Sequence, residues 1–139
     1  MSVEIADEQD VHIDHDRLKS RLSEALAKAG VPELELSILL ADDDRMTDLN
    51  RTYRHVSSTT DVLSFPQDHG DFPAFGDVLG DIVISVPTAS RQAKAVGITL
   101  EEELENLAFH GLLHLLDHDH ETEGWAEWNR ALKEILPDE

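Results

Sequence analysis

The chain has 139 residues, a length that suits one domain with a buried core, and its 30 acidic and 11 basic residues give a net charge of -19. That charge argues against broad electrostatic binding to nucleic acid or anionic lipid. No cysteine is present, which excludes disulfides, iron–sulfur clusters, thiolate metal sites and a cysteine nucleophile. Met1–Glu8 lacks the features of a signal peptide and no segment is long enough to span a bilayer, so we expect a soluble, cytoplasmic protein without membrane contact.

The first half of the chain alternates strand and helix signals. Residues 2–6 alternate weakly and predict a short strand, and leucines four residues apart predict a helix over residues 16–26. Residues 34–41, LELSILLA, predict the next strand. The three aspartates at 42–44 then cap a helix that we expect to reach Tyr53.

The second half predicts two strands followed by three helices, at residues 60–66, 78–86, 87–97, 99–116 and 122–136. Thr99 and Glu102 have the spacing of a capping box, which opens the long middle helix. No repeat or linker interrupts this order of elements. The sequence therefore predicts a single α+β domain over residues 1–139, with a small mixed sheet of about four strands surrounded by helices.

Histidine is concentrated in FHGLLHLLDHDHETEG, residues 109–124, which contains four of the eight histidines. His110 and His114 are four residues apart, so a helix places both imidazoles on one face. The surrounding run, residues 107–116, is apolar on all sides, which predicts a buried helix and two buried imidazoles. An unpaired buried polar group costs roughly 1 to 3 kcal/mol, and a metal ion would satisfy both rings.

A third ligand must then come from the chain after the helix. His120 completes an H-x3-H-x5-H pattern, and three neutral nitrogens with one open position are typical of a catalytic zinc site. His118 and Asp119 are rival third ligands, and a histidine pair that merely satisfies its own core contacts is the alternative without a metal. The sequence predicts one zinc ion per chain.

The residue after the first histidine separates this pattern from one class of zinc enzyme. Proteases with an H-E-x-x-H motif have glutamate there, whereas this chain has Gly111, so we do not expect a peptide hydrolase of that type. Glycine at this position allows another element or a substrate to approach the helix backbone closely.

Two longer stretches, together with the histidine motif, resemble one known family. These stretches are LNRTYRHVSSTTDVLSFP at residues 49–66 and GDVLGDIVIS at residues 76–85, and the family is that of the YbeY-type bacterial endoribonucleases. The resemblance implies a metal-dependent hydrolase of ribosomal RNA processing and ribosome quality control. It also implies a zincin-like domain whose buried helix carries the histidines.

The resemblance assigns roles to particular residues. The family pattern H-G-x-L-H-L-x-G-aromatic-D-H implies that His110, His114 and His120 are the metal ligands. This chain has Asp117 and His118 where the family has glycine and tyrosine, so His118 stays open as a ligand. The arginine of the family's Y-R pair corresponds to Arg54, which would bind a phosphate and stabilise charge on phosphorus.

The function that this resemblance implies is zinc-dependent cleavage of single-stranded RNA, in maturation of the 3′ end of small-subunit ribosomal RNA. A ribosome or a ribosome-associated protein is the expected partner, and DNA is not expected as a substrate. Two alternatives remain open: a metallohydrolase acting on another bond such as an amide, and a ribosome-associated binding protein with a structural metal.

Several polar residues near these motifs have an ordinary structural interpretation. For Thr60, Asp61 and Ser64 we expect strand-entry and turn contacts as readily as substrate contacts. Three basic residues could extend a local phosphate-binding surface, but a solvated helix face is the expected position of each: Arg51, Arg91 and Lys94.

Overall fold

The computed structural model describes residues 3–30, 34–66 and 78–118. The strands in these ranges are β1 (Val3–Asp7), β2 (Glu35–Ala41), β3 (Val62–Pro66) and β4 (Val78–Ser85). The helices are α1 (His15–Lys28), α2 (Asp43–Arg54), α3 (Val86–Val96) and α4 (Leu100–His118). The predicted α+β class and the predicted order of these eight elements are confirmed.

The four strands form one mixed sheet in the order β1-β2-β4-β3. Strands β1, β2 and β4 are parallel, and β3 pairs antiparallel with β4 at the edge of the sheet. In that pairing Ser64 is opposite Ile82, and Phe65 is opposite Asp81. Because β3 is antiparallel to β4, its start lies at the same end of the sheet as the carboxyl ends of β2 and β4.

The sheet buries apolar side chains on both faces. On one face, Ile38, Ile82 and Ile84 belong to a large core to which α1 and α4 contribute most of the helical residues. On the other face, Leu63 and Val83 pack with Met46 of α2. Helices α2 and α4 therefore lie on opposite faces of the sheet, with the edge strand β3 between them.

Helix α4 is the most deeply buried helix of the described part of the chain, and residues 104–109 are all buried. Its start is the predicted capping box, because the Glu102 amide donates to Thr99 Oγ1 and the Thr99 amide donates to Glu102 Oε1, both at 3.1 Å. The helix continues to His118, two residues beyond the predicted end. The predicted closing helix at residues 122–136 lies outside the described residues. Within the described ranges, no helix is long and apolar enough to cross a membrane.

Candidate metal centre

His110 and His114 lie one turn apart on the same side of α4, and both side chains are exposed. The prediction that both imidazoles are buried is wrong. The helix buries Phe109, Leu112 and Leu115 almost completely against the core, but its packing partners leave the stripe that carries the two histidines uncovered. The apolar residues on every side of the helix predicted that the whole helix surface is buried. In the structure, other elements cover the apolar side chains but not the side of the helix that carries the two histidines.

Gly111 brings the histidine-bearing turn close to the sheet. A Cβ atom at this position would lie 2.8 Å from Ile82 Cγ2, closer than carbon atoms can pack. The carbonyl oxygen of Gly111 also accepts a hydrogen bond from Ser64 Oγ at 3.3 Å. Ile82 and Ser64 are cross-strand partners, so Gly111 is seated over one residue pair of β4 and β3. The predicted close approach at this glycine is confirmed, and Ser64 makes a structural contact.

Within residues 3–30, 34–66 and 78–118, neither imidazole makes a hydrogen bond or ion pair. No group of three histidine, cysteine or acidic side chains in these ranges could hold a metal ion. His120 and Asp119 lie outside the described residues, and His118 is the last residue of α4. The structure thus places two of the predicted ligands together with their ring nitrogens unengaged, and the full set of His110, His114 and His120 stays a prediction.

Arg54 is the last residue of α2 and is exposed. The chain turns sharply after it, because His55 adopts the left-handed conformation with φ of 59° and its amide donates to the Arg51 carbonyl oxygen. Among the described arginines, those that form ion pairs with carboxylates are Arg17, Arg21, Arg45, Arg51 and Arg91. Arg54 is the described arginine that has no such partner, although the chain carries 30 acidic residues.

The edge strand β3 connects the surroundings of Arg54 with those of the histidines. Ser64 contacts Gly111 of α4, and the next residue, Phe65, contacts the ring of Tyr53 with centroids 5.1 Å apart. Consecutive strand residues point to opposite faces of a sheet, so the two contacts lie on opposite sides of β3. Adjacent residues of β3 thus contact Tyr53, the residue before Arg54, on one side and the histidine-bearing turn on the other.

The carboxylate of Asp43, in the first turn of α2, accepts hydrogen bonds from three hydroxyl groups. Asp43 Oδ1 accepts hydrogen bonds from Ser85 Oγ at 2.6 Å, Thr88 Oγ1 at 2.7 Å and Thr59 Oγ1 at 3.2 Å. Its Oδ2 accepts from Arg91 at 2.9 Å, so Arg91 is ion-paired rather than merely solvated. Desolvation by burial opposes ionisation, but the hydrogen bonds from Ser85, Thr88 and Arg91 outweigh it and lower the pKa of Asp43 to about 2.

The loop of residues 55–61, between Arg54 and β3, is fixed by further side chains. Asn50 is buried and its Nδ2 donates to the Ser58 carbonyl oxygen at 2.8 Å. Asp61 accepts from its neighbouring amide, Val62 N, at 2.8 Å and from Gln92 Nε2 at 3.2 Å. These contacts support the strand-entry interpretation of Asp61, and they anchor the loop after Arg54 at Ser58 and at Asp61.

Comparison with known proteins decides the family of this chain. The family model described as Endoribonuclease YbeY matches residues 4–137. A protein named Endoribonuclease YbeY from Moorella thermoacetica is 49% identical over 123 residues, covering 83% of this chain and 79% of its own. Proteins of the same name from Aquifex aeolicus and Thermus thermophilus are 44% and 42% identical, covering 81% and 86% of this chain and 73% and 87% of theirs. The chain belongs to the YbeY endoribonuclease family.

A solved structure shares the fold of this YbeY family member. The solution structure of TM1509 from Thermotoga maritima matches with a TM-score of 0.63 and 24% sequence identity, covering 96% of this chain and 88% of that one. At this identity the likeness establishes the fold alone. The predicted family is confirmed by the family model and by the sequence relatives.

Sequence reasoning missed three residues that shape the surroundings of this YbeY site. Asp43 was expected only as part of a helix cap, and its hydroxyl partners come from distant parts of the chain. Asn50 was not predicted as a buried residue. The signal that could have found it is a polar residue within an amphipathic helix, which needs a hydrogen-bond partner when it is buried. Tyr53 was expected only at the end of a helix, yet it is 62% exposed beside Arg54.

Proposed function

We propose that this chain is a zinc-dependent endoribonuclease that cleaves single-stranded RNA, with His110, His114 and His120 as zinc ligands and Arg54 as the phosphate-binding residue. Membership of the YbeY family supports the RNA-cleaving activity. The observation that carries the metal site is the pair of exposed imidazoles, one helical turn apart, to which no described residue forms a hydrogen bond or ion pair. In this proposal the sheet and helices form a zincin-like domain with α4 as its ligand-bearing helix.

The donor set fits zinc, because imidazole nitrogen is among its preferred ligands and this chain has no thiolate to offer. His110 and His118 are eight residues apart in α4, about 12 Å along the helix axis. Three imidazoles at this spacing along one helix are too far apart to bind one tetrahedral zinc ion, whose Zn–N distances are about 2 Å. The third ligand is therefore better supplied by chain beyond the helix, which favours His120 over His118.

Zinc bound at these residues would supply a Lewis acid for a phosphodiester oxygen. Arg54 would bind two oxygens of the same phosphate through its planar guanidinium and stabilise the negative charge that develops on them. The guanidinium is available for this task because no described carboxylate neutralises it. The hydrogen bonds that fix residues 55–61 limit the backbone freedom at the end of α2, from which Arg54 extends.

The proposed substrate is ribosomal RNA, cleaved in the cytoplasm during maturation of the 3′ end of the small-subunit RNA and in ribosome quality control. A net charge of -19 repels RNA at long range, which favours delivery of the substrate by a ribosome or a ribosome-associated protein. Membership of an endoribonuclease family does not favour either alternative, hydrolysis of an amide or a binding protein with a structural metal.

The proposal is tested by cleavage of a labelled single-stranded oligoribonucleotide by the zinc-loaded protein. We expect His114→Ala to lower the cleavage rate at least 100-fold, because it removes a metal ligand. Arg54→Gln should lower it by about 10- to 1,000-fold, the range for loss of one charge-stabilising group in an active site.

Arg51→Gln is the matched control, since Arg51 is an exposed arginine on the same helix that is paired with Asp48. It should cleave within about twofold of the wild type. The proposal fails if the zinc-loaded wild type does not cleave RNA, or if His114→Ala cleaves as fast as the wild type. Equal rates for Arg54→Gln and Arg51→Gln would remove the role of Arg54.

A further inference from the structure

We infer that Tyr53 is a stacking platform for an unpaired RNA base, and that it contributes to selection of single-stranded over paired substrate. The inference rests on the proposed function for its ligand, an RNA strand, and on separate observations for its location. Four large apolar side chains of the described residues are exposed, namely Val11, Tyr53, Val56 and Val96. Two of them, Tyr53 at 62% and Val56 at 42% exposure, lie within two residues of Arg54.

The ring of Tyr53 contacts a second aromatic ring and leaves most of its own surface exposed. It projects from the last turn of α2 and meets Phe65 in an edge-to-face contact, with an interplanar angle of 63°. Phe65 in turn packs on the apolar cluster of Met46 and Leu63. A tyrosine side chain has only two torsion angles to order, and the contact with Phe65 restricts them, so a base that stacks on the ring meets a low entropic cost.

The chemistry beside the ring favours nucleic acid over an apolar protein partner. Tyr53 is flanked in sequence by Arg54, which has no partner among the described residues. An exposed aromatic ring and an unneutralised guanidinium on consecutive residues match the two repeating groups of a single strand, the base and the phosphate. A stack on Tyr53 needs a base that is free of its duplex neighbours, so a paired strand cannot use it.

The edge strand β3 lies between the ring of Tyr53 and the turn that carries the histidines. Tyr53 contacts Phe65, and the preceding residue, Ser64, contacts Gly111 beside His110. An RNA strand that crosses the edge of the sheet at β3 can place a phosphate near the histidines and Arg54 and a base on Tyr53. This path makes Tyr53 a substrate-binding residue outside the predicted metal site.

Binding measurements with two single-stranded probes test the inference. One probe is a 2′-O-methyl oligoribonucleotide, which is not cleaved through its own 2′-hydroxyl, and the other is an abasic oligonucleotide of the same length. We expect Tyr53→Leu to weaken binding of the first probe about 5- to 100-fold, the loss of one stacked base, and to leave binding of the abasic probe unchanged. Tyr53→Phe keeps the ring and should bind both probes within about twofold of the wild type.

Val96→Ala is the matched control, because Val96 is another exposed apolar residue, at the end of α3. It should bind both probes as the wild type does. The inference is overturned if Tyr53→Leu binds the base-containing probe as tightly as the wild type, if Tyr53→Phe is as weak as Tyr53→Leu, or if both probes lose affinity equally. Failure of the probe to bind the wild-type protein also overturns it.

The two proposals can fail separately. If His114→Ala cleaves RNA normally while Tyr53→Leu loses affinity only for the probe with bases, the metal site is wrong and the stacking platform stands. If His114→Ala abolishes cleavage while Tyr53→Leu binds both probes normally, the stacking platform is wrong and the metal site stands.

Discussion

The two halves of helix α4 differ in the burial and the partners of their polar side chains. In the first half, Glu105 is 2% exposed and its carboxylate lies 2.9 Å from Arg21 Nε and 3.0 Å from an Arg17 guanidinium nitrogen. In the second half, His110 and His114 are exposed and have no partner among the described residues. A buried charge must be compensated within the fold, whereas an exposed imidazole can stay free for a ligand. The fold thus uses one helix both as core and as a support for candidate ligands.

The arginines repeat this contrast on helix α2. Arg51 is neutralised by Asp48 three residues earlier, while Arg54, one turn later, has no described partner. In both helices the residues that we assign to metal and phosphate binding are those that the described fold leaves without a polar or charged partner. Variants can therefore separate the two classes, because one class should affect stability and the other ligand binding.

The largest effect on stability is expected at the buried carboxylate. Glu105→Ala removes the group that both Arg17 and Arg21 contact and leaves a void between α1 and α4. Because both arginines keep some access to water, we expect a loss of about 2 to 3 kcal/mol in the free energy of unfolding, below the range for a wholly buried pair. Urea denaturation of metal-free protein measures it.

Glu101→Ala provides the control for that variant, since Glu101 lies in the first turn of the same helix and is partly exposed. We expect it to cost no more than about 1 kcal/mol, the size of its interaction with the helix dipole. Zinc affinity should be unchanged in both variants. A Glu105→Ala protein as stable as the Glu101→Ala protein would break the contrast between the two halves of α4.

An intermediate effect is expected at Gly111, which lies between the two histidines of α4. Alanine is the better helix former by about 1 kcal/mol, but its Cβ would lie 2.8 Å from a side-chain atom of the fully buried Ile82. Overpacking of a core costs about 1 to 3 kcal/mol, so we expect a net loss of roughly 1 kcal/mol for Gly111→Ala.

A double-mutant cycle checks this cause. Ile82→Ala removes the three atoms that the new Cβ would meet, so in that background Gly111→Ala should be neutral or stabilising. An equal loss in both backgrounds would mean that contact with Ile82 is not the reason for glycine at this position.

The smallest effect concerns pH and the partly exposed carboxylate of Asp43. Its pKa is lowered from 3.8 to about 2, so the folded state holds the charged form more strongly than the unfolded chain does. This stabilisation is complete above about pH 5 and is lost as the pH falls through 4 toward 2. We expect it to be less than about 1 kcal/mol, because water screens a partly exposed group.

Comparison of unfolding free energies at pH 5 and pH 3 tests this expectation. Asp43→Asn should lose less stability between the two pH values than the wild type does. Asp44→Asn, at an exposed neighbour, should follow the wild type. Identical pH dependence in all three proteins would contradict the role of the hydroxyl groups around Asp43.

Local sequence signals predicted much of the fold. The capping box of Thr99 and Glu102 marked the start of α4 correctly, because both partners lie within one turn. Hydrophobic spacing predicted α1, and the aspartates at 42–44 marked the start of α2. The position of β3 as an antiparallel edge strand could not be predicted, since strand pairing depends on contacts between distant residues.

The candidate site was predicted less completely, for the same reason. The spacing of His110 and His114 fixed their common side of the helix, but their exposure depends on which elements pack against α4. The ion pair of Arg91 with Asp43 joins residues 48 positions apart, and no local pattern indicates it. The exposure of Tyr53 likewise follows from tertiary packing.

The central claim is that unengaged histidines, rather than the partnered groups of the fold, hold a metal ion. The direct measurement is the zinc content of purified protein after dialysis, for the wild type and for alanine variants of His110, His114, His118 and His120. We predict one zinc ion per chain in the wild type and in His118→Ala, loss of zinc in the other three variants, and unchanged stability of the metal-free proteins. A wild type without zinc, or a His114→Ala protein that retains one tightly bound zinc ion, would contradict the account.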